Sequence, residues 1–268
     1  MIGGVDRVDN ARGVWLSIVT VVMDDTSGLQ RTVNSLAAQD LAGAEWVVVD
    51  SSADRSPVRT LMDAAGLPVT YAWTPPAGVY GAMNHALTLA HGTYTWFVNA
   101  GDEVEAGGTL ALLRAALDGH PLWLIGQVAF VDANGQRTVP APFDYARERD
   151  HLFARGRFAP HQGTIVRTSW LKDQGGFAAG YTIAADYEAS LRLSMAADPV
   201  VINSVIAVFH VGGLSAQQWR TSVAEFHRAR RTVLQPTGAS SLREWALTGS
   251  SFAREASGAA LRRWRPTT

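Results

Sequence analysis

Cysteine is absent from this 268-residue chain, which excludes disulfides, thiolate metal sites and a cysteine nucleophile. Lysine is nearly absent, because Lys172 stands alone and arginine supplies the rest of the 23 basic residues. No apolar run approaches the roughly 18 residues that a spanning helix needs. The opening residues, MIGGVDRVDNARG, are too acidic and too poor in apolar side chains for a secretory signal. A cytoplasmic location is therefore expected. A surplus of one sign of charge is also missing: the formal net charge is -1, so composition gives no reason to expect nucleic acid as a partner. No Gly-x-Gly-x-x-Gly follows the first apolar segment, which argues against nicotinamide dehydrogenases. Internal repeats and low-complexity linkers are lacking too. What is present is a chain with 47% hydrophobic and 18% charged residues, enough for a real core and too apolar for global disorder.

The near-neutral balance hides an uneven distribution. After residue 213 the chain carries nine arginines and three glutamates, so an acidic body precedes a basic tail. We expect a main domain at residues 1–213 and a basic helical extension at 214–268. The extension includes Phe252, Leu261, Arg262, Arg263, Trp264 and Arg265. Three roles are open to it: a solvated helical surface, peripheral contact at the inner face of the cell membrane, or an element of a homodimer.

Residues 14–22 (VWLSIVTVV) read as a buried strand rich in β-branched side chains. Ser27, with Gln30 three residues on, reads as the cap of a first helix whose apolar face is Leu29, Val33 and Leu36. A strand at 45–49, a helix at 57–65, a strand at 68–72, a helix around Met83 and Leu87, and a strand at 94–98 follow. Strand and helix alternate with short turns, which is the signature of an α/β sheet covered on both faces. In the second half, Leu110, Leu113 and Leu117 mark a helix. Residues 122–131 and 137–139 form a hairpin around Asn134-Gly135. Residues 141–160 read as an irregular flap, 165–167 as a strand, 187–195 as a helix and 200–209 as a closing strand. A long amphipathic helix spans 215–235, with Trp219, Val223, Phe226 and Val233 on one side.

Open α/β sheets bind ligands beyond the carboxyl ends of their strands. Asp24-Asp25, Asp50-Ser51-Ser52 and Asn99 to Asp102 all fall at such ends. Strand ends are polar for turn formation alone. Three clusters on one edge, however, point to a binding crevice.

Six motifs in order resemble those of the family 2 glycosyltransferases, over roughly residues 15–215. The first is SIVTVVMDDTSGLQRTVNSLAAQ, and the second is Val48-Val49-Asp50-Ser51-Ser52-Ala53-Asp54. The third, Gly78-Val79-Tyr80-Gly81-Ala82-Met83-Asn84, is similar to the family's GIYDAMN, with Gly81 where aspartate is common. The fourth runs from Gly92 to Asp102 and resembles GDYIxFLNxGD. The fifth is His161-Gln162-Gly163 followed by Gly176-Phe177 and Asp186-Tyr187-Glu188, and the sixth is Gly212-Gly213-Leu214-Ser215. Each alone is a weak signal; the ordered set is specific at family level.

The resemblance implies a GT-A nucleotide-sugar fold: a mostly parallel sheet flanked by helices, in an α/β single domain. It implies a divalent cation, Mn2+ or Mg2+, because a departing diphosphate gains charge that a hard cation neutralises. Asp102 is the implied metal ligand, with Gly101 where a second aspartate often stands. His210, at the end of the last strand, is a candidate to complete the metal shell or touch the diphosphate. Asn99, Ala100 and Gly101 are assigned to the donor. Asp50 is assigned to the base or ribose, Asp54 to a second contact, and Val22 and Asp24 to the other side of the base. Tyr80, Met83 and Asn84 are expected in the donor-sugar pocket, and His161 and Gln162 near the acceptor or diphosphate.

Asp186 is the expected catalytic base. An inverting transfer needs one carboxylate beside the acceptor hydroxyl, opposite the leaving nucleotide. Its place at a helix start favours the ionised form and is also that of an ordinary N-cap. Glu188 is expected to point elsewhere. A UDP-sugar is the first expectation for the donor, with GDP- and dTDP-sugars as alternatives; the expected acceptor is a hydroxyl of a glycan, a lipid or a small molecule. Two other readings compete: a sugar-nucleotide nucleotidyltransferase, disfavoured by the lack of GxGxRxxP, and a non-catalytic nucleotide-sugar binder.

Overall fold

The computed structural model describes residues 13–142, 144–147, 149–150, 158–211 and 219–263, excluding the side chains of Trp219 and of 254–263. The middle of the expected flap and the Gly212-Gly213-Leu214-Ser215 motif lie outside the described residues. In chain order the elements begin β1 (Leu16–Val22), α1 (Thr26–Ala37), β2 (Ala44–Asp50), α2 (Ser56–Ala64), β3 (Val69–Trp73), α3 (Gly78–Leu89) and β4 (Tyr94–Phe97). They continue with β5 (Glu103–Val104), α4 (Thr109–Ala116), β6 (Trp123–Val131), β7 (Arg137–Thr138) and β8 (Thr164–Arg167). The last are α5 (Thr168–Asp173), α6 (Ala185–Ala196), β9 (Val200–His210), α7 (Trp219–Leu234) and α8 (Gly238–Arg263).

Among the described residues nine strands form one sheet in the order β3-β2-β1-β4-β8-β6-β9-β5, with β7 paired to β6. Strands β1 to β4 are mutually parallel, whereas β8 runs antiparallel to both β4 and β6. Side chains alternate across the sheet as the period of two requires. Ile18, Val22, Trp46 and Val48 face one core with α1, α2 and α4. Val19, Val21, Val47 and Val49 face the other with α3, α5 and α6. The result is a three-layer domain with a core on each face. A third, smaller cluster joins Ala184, Tyr187 and Leu191 of the α6 region to Ala229 of α7.

The register brings the strand ends together. Val22 pairs with Asp50, and Asp50 with Trp73. The chain beyond β4 stays attached to β1, because the Val98 and Ala100 N–H groups bond to the Val19 and Val21 carbonyls. The polar clusters after β1, β2 and β4 therefore share one edge. Gly92 allows β4 to approach β1, since a Cβ there would lie 2.4 Å from the Ser17 backbone nitrogen.

Local details depart from the sequence expectations. Helix α1 is capped by Asp25, whose side chain accepts from Gly28 N–H; Ser27 lies inside the helix. Asp186 lies in the first turn of α6, and the cap position is Ala184, which makes no side-chain cap bond. The strand β5 and the helix α5 were not expected. Two-residue strands and six-residue helices carry too little periodicity to be read from sequence.

Buried tryptophans connect the sheet to the site. Trp46 Nε1 donates to Thr20 Oγ1 at 3.0 Å, and Thr20 donates to the Val98 carbonyl at 2.7 Å. Trp96 is fully buried, and its Nε1 donates to the Gln162 carbonyl at 2.7 Å, fixing the 3-10 turn His161–Gly163. Trp96→Phe would leave that carbonyl buried without its partner. We expect a loss of about 1–3 kcal/mol, read as a lower urea midpoint at an unchanged slope.

Candidate active site

The crevice opens along the carboxyl ends of β1, β2 and β4. After β4 the chain turns through Asn99 to Asp102, with the Asp102 N–H bonded to the Asn99 carbonyl at 2.9 Å. Gly101 takes φ +96°, a left-handed value that favours glycine. The turn is stapled by Thr32 of α1, whose hydroxyl donates to the Asp102 carbonyl at 2.7 Å and accepts from Gly101 N–H at 3.2 Å. Asp102 is 5% exposed, and Gln162 Nε2 donates to its Oδ2 at 2.9 Å. Burial pushes the Asp102 carboxyl up to about 6, against the opposing pull of His161, Gln162, the Asn99 backbone and His210.

Asp186 faces this turn from α6. Tyr80 of α3 places its hydroxyl 2.9 Å from Asp186 Oδ1 and 2.5 Å from the Ile183 carbonyl. The Tyr187 N–H donates to Oδ1 at 2.8 Å. His161 Nδ1 lies 3.2 Å from Oδ2, and Asn99 Nδ2 lies 3.1 Å from His161 Nε2. The tautomer protonated on Nδ1 satisfies both contacts. A chain of contacts thus runs Tyr80–Asp186–His161–Asn99. Burial raises the Asp186 carboxyl, but the hydrogen bonds from His161, Tyr80 and the Tyr187 N–H outweigh it and hold it below the ordinary range. Its side chain remains 27% exposed, so it can meet a substrate. Tyr80 is pushed far above the usual tyrosine range by burial and by the charge of Asp186. Behind the pair lies a small hollow lined by Phe97, Leu171, Phe177 and Leu193.

The β1–β2 side is held by short polar contacts. Asp24 adopts φ +54°, a strained value for a non-glycine residue. Its N–H donates to Ser52 Oγ at 2.8 Å, and its Oδ1 accepts from Ala53 N–H at 3.2 Å. Asp50 is fully buried: Oδ1 accepts from Ser52 N–H and Oδ2 from Tyr71 OH, both at 2.8 Å. Each oxygen has a lone pair to spare, but a base or ribose contact through Asp50 would require its fully buried carboxylate to be uncovered. Burial and the Asp50 contact push the Tyr71 hydroxyl up to about 12. Asp54 is exposed and accepts from Ser56 N–H at the start of α2. Arg55 lies 3.7 Å over the Trp73 ring, a cation–π pair on this edge.

Other expected residues sit differently. Met83 is fully buried in the core, which corrects its assignment to the donor-sugar site. Asn84 is likewise reassigned, because its amide clamps the Phe177 backbone, donating to the carbonyl and accepting from the N–H at 2.8 Å each. Val22 is buried, whereas Ala100 is half-buried at the edge. At Gly81 a Cβ would lie 2.8 Å from the Ala77 Cβ, so an aspartate there would need the preceding loop to shift. His210 Nε2 lies 2.6 Å from Glu103 Oε1, with Asp102 close enough to feel its charge. Glu188 pairs with Arg192 at 2.8 Å, pointing away from the crevice. Sequence reasoning missed Thr32, Glu103 and Glu225. A hydroxyl or carboxylate within a helix or a two-residue strand carries no distinguishing local pattern.

Two buried polar atoms on this edge lack a hydrogen-bond partner, Ser51 Oγ and Asn99 Oδ1. Buried polar groups are nearly always paired, so these two atoms call for a partner such as an ordered water or a ligand. Asn99 Oδ1 and the Asp102 carboxylate, in one turn, are oxygen donors suited to a hard cation. Among the described residues no three His, Asp or Glu side chains form a metal cage. Such a donor set suits an ion that takes its remaining ligands from substrate phosphates and water.

A parallel strand edge with a buried acidic turn, facing a helix-borne carboxylate, is the architecture of a GT-A glycosyltransferase. The fold is shared with S. aureus TarS 1-349 in complex with UDP, at TM-score 0.65 and 20% identity, over 91% of this chain and 72% of that one. It is also shared with mannosyltransferase PcManGT from Pyrobaculum calidifontis in complex with GDP-Man and Mn2+, at TM-score 0.61 and 19% identity, over 94% and 81% of the two chains. The model of Glycosyl transferase family 2 matches residues 17–175, and the chain belongs to that family. It is 29% identical over 213 residues to the uncharacterized glycosyltransferase Rv1514c of Mycobacterium tuberculosis, covering 78% of this chain and 79% of that one.

Burial of Asp102 has a stability consequence. Its folded value of about 6 exceeds the ordinary 3.8, so the folded state holds more protons between these values. Stability therefore falls as pH rises through that window, and the cost is full above it. Asp102→Asn should stabilise the metal-free protein by roughly 2 kcal/mol at neutral pH, with the gain vanishing below about pH 4. Thermal melts in a chelating buffer at the two pH values read this directly.

Proposed function

We propose that this glycosyltransferase is an inverting, metal-assisted enzyme in which Asp186 is the general base. The observation that carries the reading is the environment of Asp186: an ionised, partly exposed carboxylate oriented by Tyr80, His161 and its own helix, across the crevice from the Asn99–Asp102 turn. Asp186 takes the proton of the acceptor hydroxyl as that oxygen attacks the anomeric carbon. The bond from the anomeric carbon to the diphosphate oxygen breaks on the opposite face, and the configuration inverts. No covalent sugar–enzyme intermediate is needed. When bound, a divalent cation supplies neutralisation of the charge on the departing diphosphate. Asp102 and Asn99 are the residues to hold it, with His210, which contacts Glu103, as the further candidate. Asp24, Ser51 and Ser52 form the polar edge offered to the nucleotide.

A uridine nucleotide sugar is the favoured donor, supported by the fold shared with TarS, whose structures hold UDP and UDP-GlcNAc. GDP- and dTDP-sugars are the alternatives, the former in line with PcManGT. The expected acceptor is a hydroxyl of a glycan or lipid-linked glycan of the cell envelope. Asp186→Asn should lower transfer by about 10²-fold or more while keeping the nucleotide-induced rise in Tm. The measurement is nucleotide release and thermal shift across UDP-, GDP- and dTDP-sugars, with and without manganese. Full activity in the variant would remove the base assignment.

The C-terminal extension supports a peripheral membrane role on a separate observation. No described helix is long and apolar enough to cross a membrane. Helix α8 nevertheless exposes Leu242 at 74%, Trp245 at 58% and Phe252 at 47%, at helical spacing within the arginine-rich extension. The protein should co-sediment with vesicles containing anionic phospholipid, and Leu242→Asp with Trp245→Asp should abolish this. Absence of binding by the intact chain would remove the role.

A further inference from the structure

The loop that leads into α6 is held from outside the region matched by the family model. Thr182, Ile183 and Ala184 present consecutive N–H groups to the carboxylate of Glu225 in α7. Oε1 accepts from Thr182 at 2.8 Å, and Oε2 accepts from Ile183 at 2.8 Å and Ala184 at 2.9 Å. Glu225 is buried, at 7% exposure. Helix starts leave N–H groups without intrahelical acceptors, and a carboxylate there also complements the helix dipole. Of the three donors only Ala184 N–H belongs to the start of α6, at its cap position; Thr182 and Ile183 precede the helix. Glu225 thus holds the entry loop and the cap residue from a different helix.

The same loop is gripped on its other side. Tyr80 OH donates to the Ile183 carbonyl and contacts Asp186, so the peptides of residue 183 are fixed by Tyr80 and Glu225 together. Arg228, one turn after Glu225, donates to the Gly180 carbonyl at 2.7 Å and lies 4.0 Å over the Tyr181 ring. Phe226 packs edge-on against Tyr187 at 4.7 Å. Helix α7 is secured in turn by α8, through Glu244 to Arg230 at 2.7 Å and to His227 at 3.1 Å.

We propose that Glu225 is a positioning residue for the catalytic base. By binding the N–H groups of residues 182–184 it sets where Asp186 stands in the crevice, which makes the C-terminal extension part of the catalytic apparatus. The proposal rests on the assignment of Asp186 as base. A carboxylate offers two oxygens to three donors, whereas an amide offers one oxygen and turns an N–H₂ toward N–H groups.

The test compares Glu225→Gln, Glu225→Asp and the control Glu244→Gln, which weakens the α7–α8 junction without touching the loop. Initial rates use whichever sugar nucleotide of the UDP, GDP and dTDP panel the wild type turns over fastest, below the melting range of every variant. UDP and GDP affinities are measured in parallel. Glu225→Gln should lower kcat about 10- to 100-fold, with nucleotide affinity and donor KM within about twofold of wild type. Glu225→Asp should recover part of the kcat, and it alone supplies the comparison if the glutamine variant does not fold. Glu244→Gln should lower Tm and keep kcat. Equal kcat in wild type and the Glu225 variants, or an equal kcat loss in Glu244→Gln, would overturn the proposal. Asp186→Asn separates the two failures: if it is inactive while the Glu225 variants are unaffected, only the positioning role falls; if it is active, the base assignment falls first.

Discussion

A carboxylate withdrawn from bulk water stays ionised only where donors surround it, and the whole crevice is arranged around meeting that condition at Asp186. Its donors come from three parts of the chain. Tyr80 arrives on α3, His161 on the turn before β8, and the Tyr187 N–H from α6 itself. None of these is adjacent in sequence to the other two. They converge because β8 inserts beside β4 in the sheet order, bringing the His161–Gly163 turn against the Asn99–Asp102 turn. Trp96 secures that convergence through the Gln162 carbonyl.

The opposite requirement holds at Asp102. Burial there is not fully offset, and the carboxyl is left raised while Asn99 Oδ1 and Ser51 Oγ have no partners. Asp24 adds backbone strain on the same edge. Folding alone disfavours each of these features. Their concentration at one strand edge is what a binding surface for a charged ligand looks like, because local rules are broken where function requires it. The two carboxylates thus differ by environment: Asp186 is satisfied internally and held ionised, whereas Asp102 is buried with its carboxyl left raised.

Much of this was legible in the residues. The alternation of apolar segments predicted the parallel half of the sheet, and the polar clusters predicted which edge carries the crevice. Asp102 and Asp186 stood out because each follows a recognisable motif. The roles of neighbouring residues were less readable. Within one motif Tyr80 reaches Asp186, Met83 is sealed in the core and Asn84 clamps Phe177. A helix sends successive side chains in directions about 100° apart, so membership of a motif does not say which face a residue occupies. Asp50 was read as a ligand contact, yet its oxygens serve Ser52 and Tyr71, a pairing that depends on β3 lying beside β2.

Periodicity and composition by themselves determined the class of fold, the order of its first elements and the absence of thiol chemistry, because these depend on local pattern and residue type. The separation of an acidic body from a basic tail was also visible from charge alone. Only the tertiary structure shows how the tail meets the body. Glu225 is one acidic residue among many in an amphipathic helix, and nothing near it in sequence announces three backbone donors. Those donors lie about forty residues earlier, and helix packing alone brings them within hydrogen-bonding distance. Hydrogen bonds between distant segments are set by how elements pack, and that information is not local to either partner.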